Sequence, residues 1–469
     1  MTLNLNQKHI CKNVIFSLLI ASVSFFYFAL PVWFKTIEKD EVGGLIRHNI
    51  DSIEDGDGLE IADFNNDGLI DIVVAESKLG KVTWYEQGNN LNKWTPHFIA
   101  EGYEKIEGLD VIDADADGRL EVVILDQGLG QVAFAEQDSN DPTGSWSVEV
   151  IDAEAYKVQC SLETDLDEDG DTDLIYAYEG LKDGQGGFFW LEFKGSNSLK
   201  AENWQKHTLN QINGGWWINQ ELLDINKDGT KQELVVTSRT LRNEDAVPGA
   251  FWLEPNGPVN ETWTRHTIED GKDFYPLHIT TGNFTGKNHS NDVVLGAMEK
   301  GSGIYLYSYS GGYSRTVIES RGTWHNIKAL NLDNTGRDEL LAVDSNIIFG
   351  RRLHLYSFKE EKSGNGKYQK IWSTRYWKAD DRIIPYDLNG DGIDEIITIS
   401  AMDNSVDWWE VTLGWTPLKW RDILSWGVLI GVASFWFLEL FRLIRAFPPR
   451  NLNNIAKNSK HNFINLRNA

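Results

Sequence analysis

The chain has 469 residues and a formal net charge of −26. Its 41% hydrophobic residues, 42 Gly and 11 Pro exclude a disordered or collagen-like chain, and its 19 Trp, 15 Tyr and 21 Phe favour strands over helices. Residues 35–420 hold 35 basic and 68 acidic residues, and this net charge of −33 argues against nucleic-acid binding and favours bound cations. With only two cysteines, Cys11 and Cys160, a disulfide framework is excluded.

The first predicted element is an apolar run of 21 residues without a charge, residues 14–34. A helix of this length crosses roughly 30 Å of hydrocarbon. Lys8 and Lys12 precede it, so residues 1–13 are predicted to stay in the cytoplasm. A cleaved signal peptide is the alternative, but Ser22-Val23-Ser24 is a weak cleavage site, and we expect an uncleaved signal anchor.

A unit of 48–59 residues recurs seven times between residues 44 and 413. Each unit contains a nine-residue acidic loop with the pattern Asp-x-Asp/Asn-x-Asp-Gly-x-x-Asp/Glu, called the Asp loop below and numbered by its unit. Four strong copies begin at Asp63, Asp113, Asp165 and Asp387, and three weaker copies begin at Asp224, Asn283 and Asn331. A period of this length is typical of a repeat architecture.

Four strands are predicted in each unit. An apolar strand precedes the Asp loop, a β-branched strand follows it, and then come a Trp-rich strand and a strand that begins Trp-x-x-His, with His97, His207 and His266 as its clear copies. Seven such units predict an all-β fold, a seven-bladed β-propeller. Because the histidines recur at one repeat position, we expect them to pack and hydrogen-bond within the blades.

Closure of the ring requires one more strand. Unit seven supplies three strands near its Asp loop, and the segment from Leu45 to Ile50 resembles a fourth strand that has no unit ahead of it. We predict that this N-terminal segment completes blade seven. The segment from Trp415 to Leu418 is the competing candidate.

The Asp loops are predicted to bind several Ca²⁺ ions. Acids at positions 1, 3 and 5, Gly at position 6, a carbonyl at position 7 and an acid at position 9 supply the oxygen ligands that Ca²⁺ prefers. The predicted ligands are Asp63, Asn65, Asp67, Leu69 and Asp71 in loop one; Asp113, Asp115, Asp117, Arg119 and Glu121 in loop two; Asp165, Asp167, Asp169, Asp171 and Asp173 in loop three; Asp224, Asn226 and Asp228 in loop four; Asn331, Asp333 and Glu339 in loop six; and Asp387, Asn389, Asp391, Ile393 and Glu395 in loop seven. Without His or Cys ligands and without an open position, these ions are expected to be structural.

Positions five and six residues before each Asp loop differ between the units. They lie on the innermost strands and are predicted to converge at one mouth of the central channel. Four of them, His278, His325, Arg382 and Glu107, are candidates for acid–base chemistry or anion binding. A solvated polar channel without such chemistry is the alternative.

A second apolar run, residues 423–441, carries one acid near its far end and is followed by six basic residues within residues 442–469. It predicts a second transmembrane helix with a basic cytoplasmic tail. Both termini are then cytoplasmic. Residues 35–420 are extracytoplasmic, in the periplasm of a bacterium or in the lumen or exterior of a eukaryotic cell.

The Asp loops and their flanking strands resemble the integrin-α-type FG-GAP, or VCBS, repeats over residues 44–413. This resemblance implies a seven-bladed propeller with calcium-binding loops. Three functions are then open: a recognition or adhesion module for a carbohydrate or protein partner, a carbohydrate lyase or dehydratase with its site at the channel mouth, and a scaffold for membrane proteins. The sequence has no nucleophile or catalytic metal signature, so the recognition module is favoured and enzymatic activity is left open.

Overall fold

A computed structural model describes residues 41–42, 44–138, 141–179, 186–211, 216–226, 229, 233–239, 249–261, 263–271, 276–286, 292–297, 303–309, 312–332, 336–345, 351–360, 366–373, 377 and 382–411. The chain separates into two compact units, residues 1–411 and 412–469, and every described residue belongs to the first. The statements below concern these described residues.

The described residues form an all-β structure with a single 3₁₀ turn at Ala201–Asn203. After β1 (Glu41–Val42) and β2 (Leu45–Ser52), blade one contains β3 (Gly56–Ala62), β4 (Asp71–Glu76), β5 (Lys81–Gln87) and β6 (Trp94–Glu101); blade two contains β7 (Ile106–Ile112), β8 (Glu121–Asp126), β9 (Gln131–Gln137) and β10 (Trp146–Asp152); and blade three contains β11 (Val158–Thr164), β12 (Asp173–Tyr178), β13 (Gly187–Phe193) and β14 (Trp204–Gln211).

The remaining blades follow the same order. Blade four contains β15 (Trp216–Leu223), β16 (Glu233–Arg239), β17 (Gly249–Pro255) and β18 (Trp263–Glu269); blade five contains β19 (Pro276–Gly282), β20 (Asp292–Ala297), β21 (Gly303–Tyr309) and β22 (Tyr313–Glu319); blade six contains β23 (Trp324–Leu330), β24 (Glu339–Asp344), β25 (Arg352–Glu360) and β26 (Gly366–Ser373); and blade seven contains β27 (Arg382–Tyr386), β28 (Glu395–Ser400) and β29 (Ser405–Val411).

Each blade is an antiparallel sheet, and the first strands of successive blades touch in a closed cycle that returns from β27 to β3. Seven sheets around a common channel are the predicted seven-bladed propeller, which is thereby confirmed. The core lies between blades: in one cluster Val73 and Trp84 of blade one pack with Val122 and Ile124 of blade two. Second strands such as β4 are buried along their whole length, which explains their run of β-branched residues.

Strand β2 closes the ring. It pairs antiparallel with β29, with Leu45 opposite Val411 and Ser52 opposite Ser405, and blade seven has the order β1-β2-β29-β28-β27. The predicted N-terminal closure is confirmed. The competing segment at Trp415–Leu418 lies outside the described residues.

The two sides of the propeller differ in what they carry. The first strand of each blade runs from the channel mouth to the Asp loop, and the Asp loops therefore all lie on one side, called the Asp-loop side. The turns between second and third strands lie on the opposite side, called the mouth side. The paired ends Leu45 and Val411 both lie at the Asp-loop side.

Among the described residues, no helix is long and apolar enough to cross a membrane. The apolar segments 14–34 and 423–441 both lie outside the described residues.

Replacing Arg47 should weaken the closure of the ring. Its guanidinium lies 2.8 Å from the carboxylate of Asp407, whose side chain is 2% exposed, and it also donates to Ser405 Oγ at 2.9 Å. We expect Arg47→Ala to lower the free energy of unfolding by about 3 kcal/mol, because a buried carboxylate loses its cation. Urea titrations of the purified chain measure this difference.

The matched control is an exposed ion pair. Lys78 and Glu54 lie 3.0 Å apart, with side chains 67% and 53% exposed. Lys78→Ala should therefore change the free energy of unfolding by less than about 0.5 kcal/mol. Equal losses in the two variants would contradict a special role for the closing strand.

Candidate functional site

Each strong Asp loop is a tight turn held by its own carboxylates. In loop one the Asp63 carboxylate accepts hydrogen bonds from the N–H groups of Asp67 at 3.0 Å and Gly68 at 2.8 Å, and the Asp67 carboxylate accepts one from Leu69 N–H at 2.8 Å. The same bonds are made by Asp165 and Asp169 in loop three and by Asp387 and Asp391 in loop seven. Positions 1 and 5 therefore shape the turn.

Position 6 needs glycine for its backbone conformation. Gly68 has φ of +84°, and no atom lies within 4 Å of where its Cβ would stand, so the left-handed backbone and not the space requires glycine there. Position 4 is also left-handed, with φ of 57° at Asn66, 54° at Ala116 and 61° at Glu168. Sequence analysis missed this feature, because Ala and Glu give no signal for such a backbone.

The acid that closes the Asp loop is buried in every blade. It stands at position 9, or one residue later in loops four and five, and is called the position-nine acid below. Asp71, Glu121 and Asp173 are fully buried, and so nearly are Glu233, Asp292, Glu339 and Glu395. In six blades this carboxylate accepts the N–H of loop position 2 at 2.9–3.2 Å. Burial raises the pKa of Asp71 and Asp173 to about 7 and that of Glu121 to about 8.

Carboxylates gather closely enough in loops two and three to share a cation. Oxygens of Asp113, Asp115 and Asp117 lie within 4.8 Å of one another, and so do oxygens of Asp165, Asp167 and Asp173. Buried oxygens of Asp113, Asp115, Asp167 and Asp171 accept no hydrogen bond. Burial and the neighbouring Asp169 raise the pKa of Asp171 to about 7.

Loop two contains a basic side chain at position 7. The Arg119 guanidinium binds the Asp117 carboxylate, and it lies 2.6 Å from Glu136 and donates to the Gln137 carbonyl at 3.1 Å. Its hydrogen bond to Asp117 lowers the pKa of that carboxyl. Sequence analysis assigned only a carbonyl role to Arg119, because the partner Glu136 comes from a different strand.

The weaker loops keep part of this geometry. Asp224 accepts the N–H of Gly229 at 3.1 Å in loop four, and Asn226 donates to Glu233 at 3.1 Å. In loop seven Asn389 donates to Glu395 at 3.0 Å. Glu339 of loop six accepts the N–H of Leu332 at 3.1 Å. The predicted ligands Asp228 and Asp333 lie outside the described residues.

The repeated histidines stack on the repeated tryptophans. The ring centroids of His97 and Trp84 are 4.4 Å apart, and the pairs His207–Trp190, His266–Trp252 and His48–Trp408 are 4.5, 4.0 and 3.8 Å apart. A glutamate two residues after each tryptophan lies at the histidine Nε2: Glu86, Glu192, Glu254 and Glu410 at 3.0, 2.6, 2.7 and 3.6 Å. These histidines pack and hydrogen-bond within the blades, as the sequence predicted.

The mouth candidates form two groups. The rings of His278 and His325, from blades five and six, have centroids 5.4 Å apart. Arg382 of blade seven donates to the carbonyl oxygens of Asp57, at 3.0 Å, and Glu107, so that its guanidinium joins three blades. The Glu107 carboxylate pairs with Lys105.

Further into the channel lies a charged cluster that sequence analysis missed. A cavity of about 130 Å³ is lined by side chains from six blades, among them Glu60, Glu221, Lys328 and Arg382. Burial raises the pKa of Glu60 to about 7 and that of Glu221 in the same direction, while Lys328 opposes both shifts. The sequence does carry a signal for this cluster: Glu60, Glu221 and Lys328 are charged residues inside strands, each three positions before an Asp loop.

Two more acids belong to this cluster. Asp110 is 7% exposed, and burial together with the neighbouring Glu163 carboxylate, to which it is hydrogen-bonded, raises its pKa well above the usual range. With Asp110 and Glu163 beside the two acids that line the cavity, the cluster has four acids and two bases. It can hold protons near neutral pH and can hydrogen-bond a small polar molecule.

Comparison with known proteins supports the repeat assignment. A family model described as "FG-GAP-like repeat" matches residues 63–124, from the start of Asp loop one into β8. Residues 63–124 of this chain are therefore similar to FG-GAP-like repeats. The resemblance inferred from the Asp loops is confirmed over these residues.

No curated protein matches the chain. Among solved structures, the crystal structure of an ancestral GH74 enzyme is similar over 77% of this chain and 47% of that one, with 10% identity and a TM-score of 0.45. The chain thus spans about half the length of that enzyme.

Glu60 should make stability depend on pH. Its pKa is raised to about 7 in the folded protein from 4.5, so its contribution is fully present below about pH 4.5 and is lost as the pH rises through 7. Glu60→Gln cannot ionise, and in chelator it should be more stable than the wild type at pH 8 by about 1 kcal/mol or more, but not at pH 5. Thermal unfolding at both pH values measures this.

The control is Glu149→Gln, at an exposed position of β10. It should leave the unfolding curves unchanged at both pH values. If Glu60→Gln destabilises the protein equally at pH 5 and pH 8, the carboxylate has a packing role and its ionisation is not costly.

Proposed function

We propose that this chain is a membrane-tethered, extracytoplasmic propeller that binds Ca²⁺ at its Asp loops and recognises a carbohydrate or protein partner at its mouth side. The gathering of three carboxylates in loop two and again in loop three is the observation that carries the calcium part. A recognition role on a stiffened scaffold follows from it, because binding residues are commonly held on loops by a rigid framework.

The residues present fit Ca²⁺. The donors are all oxygens, and buried oxygens of Asp113, Asp115 and Asp167 accept no hydrogen bond, so they are available to a cation. Ca²⁺ takes six to eight oxygens in flexible geometry. Positions 1, 3 and 5 would hold it with the carbonyl of position 7, and position 9 would add a shared oxygen in loop three, where Asp173 belongs to the carboxylate group.

The membrane part of the proposal rests on the apolar segments 14–34 and 423–441 of the sequence. The propeller begins at Leu45 and ends at Val411, and these residues are partners at the Asp-loop side. An anchor at either end would be joined to the propeller through that side, and the mouth side is the one proposed for the partner.

The mouth side offers varied chemistry for recognition. His278 and His325 form an aromatic, titratable pair, and Lys105 and Glu107 bring opposite charges to the opening. These residues differ from blade to blade, whereas the Asp loops and Trp–His pairs repeat. Specific recognition needs such unrepeated donors and acceptors.

An enzyme of the carbohydrate lyase or dehydratase class is the second candidate function. One observation favours it: the His278 and His325 rings lie 5.4 Å apart at the mouth, as an acid–base pair would require. The contacts of Arg382 weigh against a direct catalytic role for it, because its guanidinium already donates to the carbonyl oxygens of Asp57 and Glu107.

Calcium should raise the stability of the purified full-length chain. We expect four or five ions per chain by isothermal titration calorimetry, and a melting temperature several degrees higher in about 10 mM CaCl₂ than in chelator, since ligand that binds only the folded state stabilises it. Asp115→Ala, at position 3 of loop two, should remove about one ion. Thr285→Ala, at position 3 of loop five, where the acids are lost, should remove none.

The same samples test the partner. A panel of polysaccharides and small sugars is scored for binding and for product, with saturable binding and no product expected. Unsaturated or dehydrated product that His278→Ala abolishes without a change in melting temperature would establish the enzyme instead. An absence of calcium binding in the wild type would overturn the calcium part of the proposal.

A further inference from the structure

One glutamate accompanies the intact Asp loops and is missing where they are degraded. It lies on the third strand, one residue beyond the last one that pairs with the second strand, where a continued register would place it opposite the position-nine acid. Blades one, two, three, four and seven carry Glu86, Glu136, Glu192, Glu254 and Glu410 there, and blades five and six carry Ser308 and Ser357. Blades five and six are the ones whose Asp loops have lost the acids at positions 1 and 5. The co-occurrence links this glutamate to the cation loops, and in four of the five blades it also pairs with the stacked histidine.

The contacts in blades one and four explain this link. Asn65 stands at position 3 of loop one, and its Nδ2 donates to Glu86 Oε1 at 3.2 Å while its Oδ1 accepts the N–H of Asp67 at 3.0 Å. In blade four Asn226 Nδ2 donates to Glu254 Oε1 at 3.1 Å and also to Glu233 Oε1 at 3.1 Å. A cation binds an asparagine only through its amide oxygen, so an acceptor that holds the NH₂ group keeps that oxygen turned into the loop.

The glutamates are themselves held in place. His97 Nε2 lies 3.0 Å from Glu86 Oε2 and stacks on Trp84, and His266 Nε2 lies 2.7 Å from Glu254 Oε2 and stacks on Trp252. Each glutamate therefore uses one oxygen for histidine and the other for asparagine. A chain of contacts therefore leads from the tryptophan in the blade interior through histidine and glutamate to the asparagine of the Asp loop.

Blades two and three carry aspartate at position 3, and there the same glutamate has a cationic partner. Arg119 lies 2.6 Å from Glu136, and both Lys194 and His207 pair with Glu192. Asp167 and Glu192 are hydrogen-bonded carboxyls. A positive charge offsets the repulsion that two carboxylates would otherwise cause. In blade three the glutamate therefore contacts a position-3 carboxyl, whereas in blades one and four it accepts the NH₂ group of a position-3 asparagine. In blade seven the NH₂ group of Asn389 is donated to Glu395 instead.

We propose that Glu86 and Glu254 are positioning residues of the cation sites in blades one and four, where they orient the Asn65 and Asn226 side chains so that the amide oxygen faces the ion. The inference rests on the proposed calcium binding of the Asp loops. Outer-shell partners of this kind commonly change metal affinity by about 10- to 100-fold when they are removed.

Glu86→Ser tests the inference in the full-length chain. Serine is the residue that blades five and six carry at this position, so the strand tolerates it. Calcium titration calorimetry should show one site weakened by about 10- to 100-fold. One ion fewer should then bind with the affinity of the remaining sites. Ser308→Ala in blade five is the matched control and should leave every site unchanged.

A second background separates orientation from a general structural role. Asn65→Asp supplies a carboxylate with two equivalent oxygens, which needs no orientation. In Asn65→Asp chains, Glu86→Ser should change calcium affinity by less than about threefold, because no amide remains to be turned.

Two outcomes are decisive against the inference. If Glu86→Ser binds as many ions as the wild type and with the same affinity, the inference is overturned while the proposed calcium binding stands. A tenfold or larger loss in both the wild-type and the Asn65→Asp backgrounds also overturns it, because the glutamate then supports the blade and does not orient the amide. A wild-type chain that binds no calcium overturns the proposed function itself, and this result is recognised before any variant is compared.

Discussion

The buried carboxylate at position 9 of each Asp loop is the interaction on which the rest of the propeller depends. It caps the start of the second strand, and in six blades it accepts the backbone N–H of loop position 2 at 2.9–3.2 Å. An unpaired N–H at this buried turn would cost free energy comparable to a lost hydrogen bond. Blade five keeps the acid, Asp292, which accepts the N–H of Thr285. The acid therefore persists where the other acids of the loop are gone.

This division of labour explains why degraded loops are tolerated. The acids at positions 1 and 5 shape the tight turn of the strong loops, whereas the position-nine acid is buried and accepts the N–H of position 2. Burial raises the pKa of this acid, to about 7 for Asp71. A blade can thus lose the acids at positions 1 and 5 and keep its shape, but it cannot lose the position-nine acid without leaving a buried donor unpaired.

The fold could be predicted from the sequence because each of its determinants is local. The Asp loop fixes the turn, the β-branched run fixes the buried strand, and an unmatched outer strand at Leu45–Ile50 predicts its pairing with blade seven. The charged cluster in the channel could not be predicted in this way, because Glu60 and Lys328 interact with side chains that other blades bring into the channel. The same holds for Arg382, whose bonds to the carbonyls of Asp57 and Glu107 depend on the ring being closed.

The two sides of the propeller therefore differ in what a substitution there can change. On the Asp-loop side every residue has counterparts in other blades, so a change alters one of several similar turns. On the mouth side His278, His325 and Arg382 have no counterparts, and Arg382 ties blade seven to blades one and two. Burial in the charged cluster below it raises the pKa of Glu60 to about 7, so the protonation of the channel changes near neutral pH. A partner that enters the mouth meets groups that can give or take protons, and its affinity should depend on pH even though the scaffold around it is repetitive.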